Sequence, residues 1–150
     1  MDTITHAART AVDITFTLDA APERVFPLLC PVLEYQWIPD WECTMVHSDS
    51  GVAELGCVFL RGEGETWITT RYEPPSRIDY AIFLPGQAVG MLEFTLTPLA
   101  SGTRVDLMST TTPIQPRGHV HGTQDERRAL WALRRTQMDH FLRTGTMLPA

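Results

Sequence analysis

Residues 124–143 read QDERRALWALRRTQMDHFLR, and the periodicity of this stretch decides the fold. Placed on a wheel at about 100° per residue, Leu130, Trp131, Leu133, Met138, Phe141 and Leu142 fall within one half of the circumference. Asp125, Arg128, Arg135, Thr136, Asp139 and Arg143 fall on the other. The arc is wider than a coiled-coil seam and suits a helix laid across a sheet. Thr123 and Glu126 form a capping box at its start, acidic residues occupy its first turn, Arg143 its last, and Gly145 stops it.

Three polar residues break the pattern: Arg127, Arg134 and Gln137 project into the apolar arc. An unpaired buried guanidinium is costly. These side chains therefore snorkel to the rim, meet carboxylates, or face a polar-lined cavity. Glu54, Glu63 and Glu65 are the carboxylates within reach of that second alternative. In the third, Arg134 and Gln137 present donors to an acidic or carbonyl-bearing ligand.

Outward from this helix the chain is a run of short strands. Val12, Ile14, Phe16 and Leu18 alternate with polar residues over 11–18, as in a half-buried strand. Asp19 to Glu23 reads as a helix start with Pro22 in the first turn. Val25, Phe26, Leu28 and Leu29 make one short helix, and a second covers about 32–36. Strands follow at about 43–48, 57–62, 65–72, 77–83, 87–96 and 103–112. Turn signals such as Asp49-Ser-Gly51, Glu73-Pro-Pro75 and Ala100-Ser-Gly102 separate them, so neighbours should pair antiparallel. A seven-stranded curved sheet with one apolar face needs a cover, and only the last helix is large enough. The expectation is one α+β domain over 1–150, with its core at about 12–143 and a ligand cavity between sheet and helix.

Composition narrows function. With 150 residues there is chain enough for a real core, and 43% hydrophobic with 20% charged residues is ordinary for a globular protein. A net charge of −6 and no basic cluster with interleaved aromatics argue against nucleic acid. No apolar run approaches a membrane span, and the N-terminus lacks the apolar segment of a signal peptide. Cys30, Cys43 and Cys57 are odd in number and lack C-x-x-C spacing, which fits reduced thiols in a cytoplasm. Homodimerisation stays open.

Four motifs resemble the SRPBCC superfamily, the helix-grip or START-like fold shared by birch-pollen-allergen-type proteins and polyketide cyclases. They are Ala21-Pro-Glu-Arg-Val-Phe26, Tyr35-Gln-Trp-Ile-Pro-Asp-Trp41, Tyr72-Glu-Pro-Pro-Ser-Arg-Ile78, and Phe94-Thr-Leu-Thr-Pro98 followed by Gly102-Thr-Arg-Val105. The resemblance covers about 12–143. It implies binding of hydrophobic small molecules, lipid transfer or, in some branches, cyclase, dehydratase or hydrolase chemistry. Fold alone does not choose among these.

Alternation places Ile68, Thr70 and Tyr72 on one face of the central strand. Ile78, Tyr80 and Ile82 share a face of the next strand, Leu92, Phe94 and Leu96 of another, and Val105, Leu107, Ser109 and Thr111 of the last. These faces should look at the helix. The aliphatic residues are core. The hydroxyls of Thr70, Tyr72, Tyr80, Ser109 and Thr111 need partners, which a ligand or water can supply. Trp37 and Trp41 flank the short helices, where this fold has its cavity mouth. The expected ligand contacts are these two tryptophans, the five hydroxyl residues, Phe94, Trp131, Arg134, Gln137 and Met138. His119 and His121 have an i, i+2 spacing but lack further ligands, so neither a metal nor another cofactor is expected. No catalytic triad, phosphate-binding glycine loop or H-E-x-x-H occurs.

Three functions from different classes follow. The first is a binding module for a hydrophobic or aromatic small molecule. The second is a cyclase-like enzyme, with Tyr72, Tyr80, Arg134 and Gln137 orienting a polyketide-type substrate. The third is a protein-interaction domain like the superfamily's chaperone-activator branch.

Overall fold

The computed structural model describes residues 9–114 and 123–150. A nine-residue strand β1 (Thr10–Leu18) is followed by one turn of helix α1 (Pro22–Val25) and by 3-10 turns at Phe26–Leu29 and Leu33–Gln36. Then come β2 (Thr44–His47), β3 (Val58–Arg61), β4 (Glu65–Glu73), β5 (Arg77–Leu84), β6 (Ala88–Leu99), β7 (Gly102–Pro113) and the helix α2 (Gln124–Thr144). The strands form one seven-stranded antiparallel sheet in the order β1-β7-β6-β5-β4-β3-β2. This is the curved sheet with one long helix that the sequence led us to expect. None of the described helices is long and apolar enough to cross a membrane.

The strands are where alternation put them, to within one residue at each end except that β6 runs three residues further, to Leu99. Val12 lies opposite Ser109 and Phe16 opposite Val105, so the first strand docks on the last with its apolar side inward. The β6–β7 turn is tight: a Cβ on Gly102 would collide with the carbonyl oxygen of Leu18, so only glycine fits there. Within the expected helix start, Ala21 stands at the α1 cap, and no side chain caps that helix.

One strand departs from expectation. β4 shifts register between Thr69 and Arg71. This bulge inverts the alternation along half the strand. Trp67 and Thr69, opposite Ile82 and Tyr80, therefore face inward, and Thr70 is exposed. Tyr72 regains the inner face beyond the bulge, opposite Ile78.

Helix α2 starts and ends as its caps dictate. The Thr123 hydroxyl accepts from the Glu126 amide at 3.1 Å, and Gly145 closes the helix at φ 73°. Its inward face keeps most of the arc of apolar residues: Met138 is in the core, Trp131, Phe141 and Leu142 pack against it, and Leu130 lines the space beside it. Leu130 and Leu133 are 42% and 48% exposed, whereas Arg127, Gln137 and Met138 are buried. The centre of the buried stripe thus runs through Arg127, Arg134 and Met138. The polar residues that break the wheel pattern occupy the middle of the face that meets the sheet.

The helix does not sit centrally over the sheet. Gln124 donates to the Ala11 carbonyl at 2.9 Å, Arg128 to that of Asp13 at 3.3 Å, and Arg127 to the Thr10 hydroxyl at 2.6 Å. Arg143 pairs with Asp19 at 3.1 Å near the far end. These bonds clip α2 along β1, one edge of the sheet. The far side of the concave face is left open.

Candidate functional site

A cavity of about 360 Å³ occupies that open side. Its walls come from the second 3-10 turn, β3 to β7 and the first half of α2. All four tryptophans of the chain line it: Trp37, Trp41, Trp67 and Trp131. Their polar edges are already satisfied where they are buried. Trp37 Nε1 donates to the Leu28 carbonyl and Trp41 Nε1 to that of Pro31, both at 2.9 Å. Each ring therefore shows the cavity its apolar surface. Phe94 meets Trp131 edge-on at 5.3 Å, and Phe59, Trp67 and Tyr80 form a cluster with centroids 5.4 to 5.9 Å apart. Gly90, between Ile82 and Thr111 in the sheet, lies on the wall and leaves room a side chain would fill.

Of the expected ligand contacts, Trp37, Trp41, Tyr80, Phe94, Ser109, Thr111, Trp131 and Arg134 line this cavity. The other four do not. Thr70 is turned to solvent by the β4 bulge. Tyr72 packs on Phe26, with centroids 5.7 Å apart, at a different hollow. Met138 is fully enclosed in the core. Gln137 is buried behind the wall, where its Oε1 accepts from Arg134 at 2.9 Å and fixes that guanidinium. The hydroxyls are also less free than alternation suggests. Tyr80 donates to the Leu29 carbonyl at 2.6 Å, and Ser109 and Thr111 accept from Arg127 at 3.1 Å.

Arg127 thus takes the third of the outcomes foreseen for it and lines the cavity among polar groups. It neither snorkels nor meets a carboxylate, but binds the β7 hydroxyls, the Ser109 carbonyl and Thr10. The three glutamates considered as partners are elsewhere. Glu54 accepts from the Ser50 hydroxyl and amide and from Ser48, which holds its carboxyl down at about 2. Glu65 accepts from Trp67 Nε1 at 2.6 Å, and Glu63 is exposed in the β3–β4 turn.

Four charged residues on the cavity wall were absent from the expected contacts: Arg127 and Glu65, described above, and Arg61 and Glu34. Arg61, in phase with buried Phe59 on β3, lies on the Trp41 ring with its Cζ 3.8 Å from the centroid. That alternation is visible in the sequence. Glu34 projects from the second 3-10 turn into the cavity. Burial pushes its carboxyl up from 4.5 to about 8, against the pull of Arg61 and then Arg134. A single 3-10 turn has no periodicity long enough to predict which way it faces.

Burial also draws the Arg127 and Arg134 guanidiniums below their usual value. The Cys30 thiol is raised by burial to about 12, which leaves it an inert thiol rather than a nucleophile. The described residues contain no group of three or more His, Cys, Asp or Glu placed to hold a metal. His119 and His121 lie outside the described residues.

A second hollow of about 490 Å³ lies outside this interior. It is bounded by α1, the two 3-10 turns, Val52, Ala53, Tyr72 and the Pro74-Pro75 turn. Although larger, it opens beside half-exposed Val52 and carries a single charged group, Glu23. The inner cavity combines an aromatic wall with converging polar groups, and that is the mark of a ligand site.

The family profile described as polyketide cyclase / dehydrase and lipid transport matches residues 9–141. Among solved structures, the protein CV1439 from Chromobacterium violaceum aligns at 20% identity over 87% of this chain and 95% of its own, with a TM-score of 0.64. CalU16 from Micromonospora echinospora aligns at 18% identity over 93% and 85%, also at 0.64. Ara h 8.0201 aligns at 12% identity over 87% and 93%, at 0.60. At these identities the likeness is one of fold. No curated protein sequence matches the chain.

Proposed function

The chain belongs to the polyketide cyclase / dehydrase and lipid transport family, within the SRPBCC superfamily, and on that premise we propose that it binds a hydrophobic, aromatic-bodied small molecule in the inner cavity. The observation that carries this reading is the wall itself. The cavity gathers all four tryptophans with Phe59 and Phe94, while α2, clipped to β1, leaves the space unfilled. A flat aromatic body gains most from such a wall, because burial of apolar surface is worth about 25 cal/mol per Å² and ring contacts add to it. The three unpaired thiols suit a reducing compartment, so the ligand would be met in the cytoplasm.

Native mass spectrometry of the protein purified from its own host tests the reading. The expected result is a small-molecule adduct on the wild type that is missing from Gly90→Val. A Cβ at Gly90 makes only ordinary contacts, the nearest 3.5 Å from Ile82 Cβ, so the variant keeps the fold and narrows the cavity. An adduct equally present on both would place the ligand elsewhere and overturn the reading.

A second reading, a cyclase- or dehydratase-like enzyme, is favoured by Glu34, Arg61 and Arg134 on the same cavity wall. A protonated carboxyl beside two guanidiniums can donate a proton and hold developing negative charge on a carbonyl oxygen. Tyr72 has no part in it, since its side chain lines the outer hollow. Turnover of a β-ketone test substrate, lost in Glu34→Gln while binding persists, separates catalysis from binding alone.

A further inference from the structure

The inner cavity holds more positive charge than its surroundings neutralise. Arg61, Arg127 and Arg134 line it against two carboxyls, Glu34 and Glu65. Among the described residues, none of the three guanidiniums has a carboxylate within 4.0 Å. Arg127 is met by hydroxyls and a carbonyl, and its Nε and that of Arg61 are buried with no partner. Glu65 is engaged by Trp67. An uncompensated cation in a partly dry cavity is costly, and a ligand that brings the missing charge removes that cost.

Resting on the binding reading above, we propose that the ligand is a hydrophobic molecule bearing one carboxylate, held between Arg61 and Arg134, with the Glu34 carboxyl of the same wall completing the seat. A planar guanidinium matches a planar carboxylate through paired N–H donors. Stacking on Trp41 and the hydrogen bond to Gln137 hold the two arginines in place before the ligand arrives. The rest of the wall is mainly aromatic and aliphatic, and Glu65, Tyr80, Ser109, Thr111 and Arg127 on it already bond to the protein, so one charged end and one aromatic or alkyl body is the chemistry it fits.

A pH dependence follows. Glu34 feels Arg61 on β3, Arg134 on α2, Tyr80 on β5 and the Cys30 thiol at the end of the first 3-10 turn, and it shares the cavity wall with Glu65 on β4 and Arg127 on α2. Burial keeps its carboxyl protonated up to about pH 8. Above that it ionises and competes with the ligand for the same guanidiniums. Carboxylate affinity should therefore fall as pH rises through that value.

The test compares 2-naphthoate with its neutral isostere 2-naphthamide by calorimetry, at about pH 6.5 and about pH 9.5. A charge-assisted hydrogen bond is worth roughly tenfold in affinity or more. Naphthoate should bind at least about tenfold tighter than naphthamide at the lower pH and lose most of that margin at the higher. Glu34→Gln should bind naphthoate with no alkaline loss. Arg134→Gln should lose part of the margin between the two probes and Arg61→Gln with Arg134→Gln all of it, and urea unfolding of each variant checks that the fold survives. Equal binding of both probes by the wild type would overturn the charge assignment and leave the cavity reading standing. An alkaline loss unchanged in Glu34→Gln would overturn the role of Glu34. Binding of neither probe would count against both readings.

Discussion

Glu34 gives the protein a pH signature of its own. Its carboxyl titrates near 4.5 when unfolded and at about 8 when folded. Between those values the folded state holds a proton that the unfolded state has released. Stability is therefore fully present below about pH 4.5, declines as pH rises, and has lost this contribution above about pH 8. The shift bounds the effect at about 5 kcal/mol, and access of water to the cavity lowers it. Glu34→Gln, neutral at every pH, should flatten the decline in urea midpoints between about pH 5 and pH 9. A decline as steep as the wild type's would show that another group sets it. Gly102 makes a second prediction at this scale. Gly102→Ala drives a Cβ into the Leu18 carbonyl, and the β1–β7 edge must move to admit it. A loss of about 2–3 kcal/mol in the urea transition is expected. Legibility also varies residue by residue. Arg61 was readable, because it alternates in phase with Phe59. Glu34 was not, because no repeat tells which side of a 3-10 turn faces inward.

Helix α2 shows what periodicity does and does not reveal about an element. Its bounds were legible because caps are local: Thr123, Glu126 and Gly145 act within one turn. Thr123→Ala should cost about 1 kcal/mol by urea denaturation through loss of the bond to the Glu126 amide. The face the helix buries was legible in part: Trp131, Met138, Phe141 and Leu142 pack inward as the wheel says. The wheel also points Leu130 and Leu133 inward, yet with Gln124, Arg127 and Arg128 bonded to β1, Leu133 is 48% exposed and Leu130 borders the open cavity instead of the core. Those polar bonds reach a strand more than 100 residues away, and no window of sequence along the helix contains that partner. β4 fails for a related reason. Its alternation is unbroken in the sequence, but the bulge after Thr69 exchanges the inner and outer faces, which exposes Thr70 and brings Trp67 inward.

At the scale of the whole molecule, the cavity follows from asymmetry. A curved sheet covered by one helix encloses space only if the helix leans to one edge, and here it leans on β1. The strand order and the four motifs made that architecture readable, since each motif is a local turn or strand signature. Arg134 was placed at the cavity from the sequence, but its meeting with Glu34 and Arg61 was not readable, since the three lie far apart in sequence and meet only when the sheet has curled. Gly90→Val should unfold within about 1 kcal/mol of the wild type, because a β-branched residue suits the strand, yet should lose ligand affinity. The indole N–H signals of Trp37, Trp41, Trp67 and Trp131 report on the cavity wall, and the outer hollow contains no tryptophan. The most direct measurement is a 2-naphthoate titration followed through those four signals by 1H–15N NMR. Saturable shifts in the indoles, abolished in Gly90→Val, are the predicted result. Indoles that stay still while the amides of Val52, Ala53 and Tyr72 move would contradict the account.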